Sequence, residues 1–340
     1  MRAVKTSSNL NAREIVRKIF DIHHEPMPRG AWWWWFWLFF FNNPNNQAKP
    51  RQLMILWSTK NVREIDCNGL KIELKQPLDR RDLDGAVAAW YFDGETMHHN
   101  FLLEPCALNI ADNTLYTDSS VPTSYSIGDK ESTINIGSEI EFITESGNKH
   151  KFAAPTYYSN TYIRDMSFSM LRLNHQNLRG CIKTEPIRGS AYFQRVFVNA
   201  PVVPWYWGIF HFENGGILTY FNQYLLGKAF NSGISFFDGD KVHEFANMTI
   251  TRSGADIPTF SVSGETEHEK MSFTVKSYAQ SSWTFRKKAL GVIPTKLVYN
   301  EYPAIISDLE LTDKKTGNKI VLGDLGKSVG NAEHTTGLLL

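Results

Sequence analysis

The sequence predicts an all-β protein built from antiparallel barrels and preceded by one short helix. Short apolar or alternating segments recur along most of the chain, with turn-forming pairs such as Asp93-Gly94 and Asp238-Gly239 between them. Aromatic residues, which favour strands, make up 13% of the 340 residues. Only residues 11–24 have the spacing of a convincing amphipathic helix.

The predicted helix has the sequence NAREIVRKIFDIHH. Its apolar residues recur at helical spacing, and they are Ala12, Ile15, Val16, Ile19 and Phe20. Ser8 or Asn11 is placed to cap the first turn. We expect this helix to brace one end of a barrel. Docking on a membrane surface through its basic face is the alternative.

The predicted strands form two sets. The first covers residues 32–41, 52–58, 70–74, 86–92, 96–103, 132–136, 139–144 and 149–153. The second covers residues 190–198, 205–212, 217–224, 235–237, 241–245, 248–252, 259–262, 271–278, 297–302, 304–312, 319–323 and 331–337. Similar aromatic hairpins occur in both sets, which favours two halves of similar construction. We expect a helical segment over residues 1–27, a first barrel over 28–183 and a second over 184–340.

Composition argues against several classes of protein. The 36 basic and 35 acidic residues are too evenly balanced for a nucleic-acid-binding protein. The longest apolar run, residues 31–41, is shorter than the ~20 residues that a membrane-spanning helix needs. The three cysteines are far apart in sequence, which argues against a disulfide framework and a zinc site and favours the cytoplasm. Motifs for metals, nucleotides or nucleophilic hydrolysis do not occur, so we expect no metal and no cofactor.

Alternation along the aromatic strands selects candidate binding residues. Trp205, Trp207 and His211 share one face of their strand, which we expect to line a barrel interior. On the next strand, Tyr220, Asn222 and Tyr224 form a row that suits a mainly apolar ligand with one polar centre. Gln194 and Arg195 lie on opposite faces of a third strand, and burial of either requires a partner. The predicted ligand-binding residues are Gln194, Arg195, Trp205, Trp207, His211 and Tyr224.

Three stretches of the chain resemble the carotenoid 1,2-hydratase (hydroxyneurosporene synthase) family. They are WWWWFWLFFF at Trp32–Phe41, GSAYFQRVFVNAPVVPWYWGIFHFENGGILTY at residues 189–220, and GNAEHTTG at residues 330–337. The resemblance implies two consecutive lipocalin-like antiparallel β-barrels that hold a long apolar isoprenoid. It also implies acid-catalysed addition of water to a polyene, and related barrels include terpenoid and polyketide cyclases. The alternatives are a non-catalytic lipocalin-like carrier of a hydrophobic ligand, and a structural subunit whose Trp32–Phe41 strand faces outwards to a membrane or partner.

The chemistry implied by this resemblance requires a buried acid. The family carries Tyr-x-Asp on the strand after the W-x-W hairpin, where this chain has Tyr220-Phe221-Asn222, and an amide cannot donate the proton. Glu333, Glu213 and Asp93 are the possible substitutes, and only Glu333 lies within a predicted strand, where Arg195 or Gln194 would pair with it. Burial raises the pKa of a carboxyl, and aromatic rings stabilise a carbocation. We therefore expect Glu333, Tyr220 and Asn222 to be the catalytic residues. An isoprenoid ligand also leaves peripheral membrane contact open.

Overall fold

The computed structural model describes residues 12–20, 22, 27–75, 83–128, 130–146, 155–161, 166–289 and 292–338. Nearly all described elements are strands, which confirms the predicted all-β fold with its short N-terminal helix. The helices are α1 (Ala12–Phe20) and α2 (Leu322–Leu325). The chain divides into two compact units. Unit 1 comprises Met1–Asn42, Arg51–Tyr91 and His98–Pro201, and unit 2 comprises Asn43–Pro50, Phe92–Met97 and Val202–Leu340.

Unit 1 is a closed antiparallel barrel. Its strands are β1 (Trp32–Phe41), β2 (Arg51–Lys60), β3 (Glu64–Cys67), β4 (Leu70–Glu73), β5 (Leu83–Phe92), β6 (Met97–Ala111), β7 (Thr114–Thr117), β8 (Thr123–Ile127), β9 (Glu131–Ile136), β10 (Ile140–Glu145), β11 (Thr156–Thr161), β12 (Ser167–Ile182) and β13 (Glu185–Asn199). Ten of them follow the order β12-β13-β1-β2-β5-β6-β7-β8-β9-β10, and β10 pairs back with β12 to close the ring. Closure removes the exposed edges that an open sheet would leave.

The interior of unit 1 is filled by aromatic side chains. Alternate residues of β1 point into it, and Trp33, Trp35 and Trp37 are 0% exposed. The hypothesis that this strand is an outward-facing tryptophan surface is therefore not supported. Helix α1 packs on the same core, because the Trp35 Nε1 donates to the Ile19 carbonyl at 2.7 Å. The helix thus braces the barrel, as its apolar stripe indicated.

Unit 2 is a second antiparallel sheet that curls around its own core. Its strands are β14 (Trp205–Phe212), β15 (Ile217–Leu225), β16 (Lys228–Phe237), β17 (Val242–Phe245), β18 (Met248–Ser253), β19 (Thr259–Glu265), β20 (Glu269–Ser277), β21 (Ser281–Ala289), β22 (Ile293–Asp313), β23 (Lys319–Val321) and β24 (Ser328–Leu338). The order is β17-β16-β15-β14-β24-β22-β20-β19-β18, and β21 and β23 also pair with β22. A Cβ atom at Gly264 on β19 would lie 2.9 Å from that of Phe245 on β17. The two ends of the sheet therefore approach closely enough to require glycine.

The observed division of the chain differs from the predicted one. It falls after Pro201 rather than after residue 183, because β13 pairs with β1 and β12 and so belongs to unit 1. Two predicted strands, residues 297–302 and 304–312, are one strand, β22. On one side, Pro303 lies between the β21 ladder, which ends at Glu301, and the β20 ladder, which begins at Ala304. On the other side it stays in register with Asn331 of β24. The predicted caps Ser8 and Asn11 and the predicted strand at residues 149–153 lie outside the described residues.

Candidate functional site

The two faces of β14 separate the predicted site residues into two groups. Phe210 and Phe212 belong to the core of unit 2, and Tyr206 packs against it. Trp205, Trp207 and His211 alternate with them and therefore point away from this core, which corrects the prediction that they line the barrel interior. We name the first side the interior face. We name the second the carboxyl face, and it includes Trp205, Trp207, Ser281, Trp283, Tyr299, Glu301, Asn331 and Glu333.

Glu333 is a buried acid held by two donors. It lies on β24, its residue is 3% exposed, and it pairs with Trp207 of β14. The Trp205 Nε1 donates to its Oε2 at 2.9 Å, and the Tyr299 hydroxyl donates to its Oε1. Burial raises the pKa of Glu333 to about 7, although the two hydrogen bonds act in the opposite direction. Both protonation states of this carboxyl are therefore populated near neutral pH.

A second glutamate, which the sequence analysis missed, faces Glu333. Glu301 lies directly opposite it on β22 and is 0% exposed. Tyr299 shares the face, and its pKa is raised by burial and then by the charges of Glu301 and Glu333. Two carboxyls in one site of low dielectric resist ionising together. The available signal was a glutamate between Asn300 and Tyr302 in the predicted strand at residues 297–302.

Several other polar groups of the carboxyl face are buried without a hydrogen-bond partner in the described part of the chain. They are the amide of Asn331, the Ser281 hydroxyl and the Trp283 Nε1. Ser281 pairs with Glu301, and Asn331 precedes Glu333 by two residues, so all face the same side of the sheet. Buried polar groups are normally paired, because an unpaired one costs free energy. A cluster of them around two carboxyls marks a place where a ligand or water can complete the hydrogen bonding.

The interior face holds the other predicted row. Tyr220 is 1% exposed and Asn222 is 7% exposed, and both belong to β15. The Tyr224 hydroxyl lies 3.0 Å from Nε2 of His334. Asn222 pairs with Tyr206 whereas Glu333 pairs with Trp207, so the structure places Asn222 and Glu333 on opposite faces of the sheet. The predicted catalytic residues therefore do not share one site.

The two substitute acids stabilise turns. Glu213 accepts a hydrogen bond from the backbone amide of Lys327 at 3.0 Å. Asp93 accepts two, from the amides of Glu95 at 2.9 Å and Thr96 at 2.8 Å. Both carboxyls thus satisfy backbone donors, as turn residues commonly do. Of the three acids considered, Glu333 is the one in a buried strand.

Gln194 and Arg195 lie on β13 of unit 1, where other residues partner them. Arg195 is 1% exposed, donates from Nη1 to the Ser169 Oγ at 2.8 Å, and has its guanidinium 4.1 Å from the centroid of the Trp33 ring. Gln194 accepts a hydrogen bond from the Tyr192 hydroxyl at 3.0 Å. Their described partners are thus Ser169, Trp33 and Tyr192, whereas the sequence predicted the acid of β24.

Comparison with known proteins identifies the fold. No family model matches the chain, and no curated protein matches it. A crystal structure assigned as AttH, from Nitrosomonas europaea, is similar with a TM-score of 0.51 and 10% identity over 99% of both chains. The crystal structure of CghA with Sch210972 is similar with a TM-score of 0.50 and 8% identity, over 99% of this chain and 93% of CghA. At such low identity these similarities show the lipocalin-like barrel fold alone, and membership of the carotenoid 1,2-hydratase family is not confirmed.

Neither helix in the described residues has the length and apolar character that a membrane crossing would need. Within the same residues, His, Cys, Asp and Glu side chains form no group of three or more placed to hold a metal ion.

Proposed function

We propose that this protein is an enzyme that adds water to an apolar polyene, or cyclises one, with Glu333 as the proton donor. One observation carries the proposal. Glu333 is a buried carboxyl with a pKa of about 7, held by the Trp205 and Tyr299 donors and faced by Glu301. A general acid works best when its pKa lies near the working pH, and an ordinary exposed glutamate is ionised there.

The reaction begins with proton transfer from the Glu333 carboxyl to one carbon of a C=C bond. The π electrons of that bond form the new C–H bond, and the neighbouring carbon becomes a tertiary cation. The rings of Trp205 and Trp207 lie on the same face as the acid and supply cation–π stabilisation. Water then adds through an oxygen lone pair and loses a proton to the Glu333 carboxylate, which restores the acid. In a cyclisation, the π electrons of a second C=C bond of the same molecule form a C–C bond to the cation instead. The new cation then loses a proton to the Glu333 carboxylate, which forms a C=C bond and restores the acid.

Tyr299 is a positioning residue in this proposal. Its hydroxyl bonds to Glu333, and its ring centroid lies 5.7 Å from that of Trp205. This arrangement fixes the direction in which the free lone pairs and the proton of the carboxyl can point. An isoprenoid substrate is stored in the lipid bilayer, so peripheral contact with a membrane forms part of the proposal.

A non-catalytic lipocalin-like carrier is the second candidate function. It is favoured by the interior face, where the Tyr220 hydroxyl and the Asn222 Oδ1 are buried and have no hydrogen-bond partner among the residues described. The interior row consists of two phenols and an amide, so it offers a bound ligand no carboxyl that could donate a proton. Binding without chemistry is the expected behaviour of such a site.

The test is incubation of the full chain with a panel of acyclic carotenoids in water enriched in heavy oxygen. Mass spectrometry is expected to find a tertiary alcohol carrying the label, or a cyclised isomer of unchanged mass. The variant Glu333→Gln keeps the size and an acceptor oxygen but cannot donate the proton, and we expect it to form neither product. Glu213→Gln is the matched control, because that carboxyl lies in a turn, and it should retain activity.

If every carotenoid of the panel is recovered unchanged after incubation with the folded wild-type protein, hydration and cyclisation of these compounds are excluded. Lipid that co-purifies from a carotenoid-producing host with both the wild type and E333Q, without product in either, would establish the carrier function instead. Equal product formation by the wild type and E333Q would show that the proton comes from another group.

A further inference from the structure

We propose a second ligand site, separate from the carboxyl face, on the interior face of unit 2. It would bind a small planar molecule that carries a hydroxyl group at one end and a carboxylate at the other. The inference rests on the second candidate function, because it uses the same row of Tyr220 and Asn222, and it does not depend on the catalytic function. It rests on two unpartnered polar atoms, an aromatic wall and one positive charge at the same end of this sheet.

The deep end of the site has unused hydrogen-bonding capacity. The Tyr220 hydroxyl and the Asn222 Oδ1 are both buried, and neither has a partner in the described structure. The two residues are i and i+2 on β15, so their Cα atoms are roughly 7 Å apart along one face. A carboxamide oxygen can only accept a hydrogen bond, so the ligand must bring a donor such as a hydroxyl.

The position of the Tyr220 ring depends on a glycine. A Cβ atom at Gly208, the residue that pairs with Tyr220 on β14, would lie 2.5 Å from its Cε1. The absence of a side chain at Gly208 therefore lets the phenol lie across the neighbouring strand. This placement keeps the ring against the sheet, with its hydroxyl over Gly208.

The wall above these atoms is aromatic. The ring of Tyr206 stacks on the His334 imidazole at 4.1 Å between centroids with an interplanar angle of 4°. The Tyr224 ring also stacks on that of Tyr206, with 5.3 Å between centroids, and lies 6.4 Å from the His334 ring. Phe260 meets Tyr206 edge-on at 6.0 Å and also contacts Tyr302 at 5.7 Å. Rings in these orientations favour a flat, polarisable ligand.

Arg252 supplies the positive charge. Its side chain is exposed near the end of β18, and it interacts electrostatically with Tyr206, Tyr302 and His334. Its Nη2 donates to the Ala255 carbonyl at 2.5 Å, which holds the guanidinium at the rim. Burial, and then the charge of Arg252, lowers the pKa of His334 to about 4, so the imidazole is neutral at neutral pH. Arg252, which pairs with Phe260 of β19, therefore places a positive charge beside a neutral imidazole. A guanidinium recognises a carboxylate with two parallel hydrogen bonds.

The neighbouring polar group Asn300 does not compete for the ligand. Its Oδ1 accepts a hydrogen bond from the Ser282 Oγ at 2.6 Å, and its Nδ2 donates to the His334 carbonyl at 2.9 Å. Recognition is thus left to Asn222 and Tyr220 at the deep end and to Arg252 at the rim. The ligand must therefore bring a hydrogen-bond donor to one end of the aromatic wall and a negative charge to the other. These two requirements define the ligand class.

Isothermal titration calorimetry with three probes tests the proposal on the wild-type chain. The probes are 4-hydroxycinnamate, cinnamate without the hydroxyl, and methyl 4-hydroxycinnamate without the charge. We expect saturable binding of 4-hydroxycinnamate, and at least tenfold weaker binding of each of the other two. Arg252→Gln should remove the preference for the charged probe, and Asn222→Leu should remove the preference for the hydroxylated one. Glu333→Gln should bind all three as the wild type does.

The probe comparison uses the unmodified protein, so the result does not depend on whether a variant folds. Absence of saturable binding up to millimolar 4-hydroxycinnamate overturns the proposal for this ligand class. Equal affinity for the three probes also overturns it. Binding that E333Q abolishes while folded R252Q and N222L retain it would place the ligand at the carboxyl face, and that too rejects the interior site. Loss of catalysis in E333Q with intact probe binding would leave the interior site supported and independent.

Discussion

Glu301 and Glu333 lie directly opposite each other across the β22–β24 pair, and both are buried. Side chains at such positions have Cβ atoms about 5 Å apart, and two like charges there destabilise a sheet. The Tyr299 hydroxyl and the Trp205 indole bond to Glu333, which spreads its charge, yet its pKa remains raised to about 7. A protonated Glu333 is therefore part of the stable folded state below neutral pH.

The first prediction is that the contribution of Glu333 to the free energy of unfolding decreases as pH rises from about 4.5 to about 7. The folded pKa of Glu333 is about 7 against an ordinary value of 4.5, so between these pH values the folded protein holds a proton that the unfolded chain releases. The raised pKa of Glu333 contributes up to about 3 kcal/mol to the free energy of unfolding below pH 4.5. This contribution is lost as pH rises to about 7. Urea denaturation at several pH values should show this slope in the wild type and a flatter curve in Glu333→Gln.

Glu213→Gln is the control for this slope, because its carboxyl lies in an exposed turn. Its pH dependence should follow that of the wild type. If E333Q retains the full slope, the proton is bound elsewhere, and the assignment of a raised pKa to Glu333 is incorrect.

The second prediction concerns two tyrosines of β15 that differ in their hydrogen bonding. The Tyr220 hydroxyl is buried and unpartnered in the described structure, so Tyr220→Phe removes an unpaired polar group and should stabilise the protein by about 1 kcal/mol. The Tyr224 hydroxyl contacts His334 and the Thr335 carbonyl at 3.1 Å, so Tyr224→Phe should cost about 1 kcal/mol. Thermal melts compare the two. Destabilisation by Y220F would mean that its hydroxyl already has a partner, such as ordered water.

The barrel architecture could be predicted because strand period and turn chemistry are local properties. β1 was expected at Trp32–Phe41 and has those bounds, and glycines such as Gly94 and Gly239 adopt the positive φ of their predicted turns. β12 was missed. Its polar stretch contains a register shift between Leu173 and Gln176, which breaks the alternation on which strand prediction depends.

The site was predictable only in part, because face assignment depends on pairing between distant strands. Alternation showed that Trp205, Trp207 and His211 share a face, but it did not show which face meets the core. Glu333 was selected, whereas its neighbour across the sheet, Glu301, precedes it by 32 positions in the chain. Only the register of β22 against β24 brings the two carboxyls together, and no local pattern encodes that register.

The third prediction concerns His243, which bridges two carboxylates. Its ring nitrogens lie 3.0 Å from Asp238 and 3.0 Å from Glu269. Burial alone would raise the pKa of these carboxyls, but their hydrogen bonds more than offset it, so both pKa values are lowered. Their contribution to stability is therefore present above pH 4 to 5 and is lost as pH falls through the lowered values.

His243→Phe should therefore destabilise the protein by about 2 kcal/mol at neutral pH, since it leaves two partly buried carboxylates without that partner. The difference from the wild type should narrow at pH 3, where the carboxyls of the variant are protonated. Lys241→Met is the control, because Lys241 contacts the same Glu269 but is largely exposed and should cost under about 0.5 kcal/mol. Urea denaturation at both pH values measures these effects, and equal costs for the two variants would contradict the prediction.

The last prediction separates a structural role from a binding role for Arg195. Its guanidinium is buried over the Trp33 ring while Nη1 donates to Ser169. Arg195→Lys keeps the charge but loses the planar group, and a buried ammonium is more strongly hydrated and more costly to desolvate. We expect a loss of about 2 kcal/mol in the free energy of unfolding, of which Ser169→Ala alone reproduces about 1 kcal/mol. The double variant should cost less than the sum of the single ones, because both remove the same hydrogen bond. If R195K is as stable as the wild type but no longer retains a co-purified lipid, Arg195 binds the ligand. A purely structural residue would give the reverse, with lower stability and retained lipid.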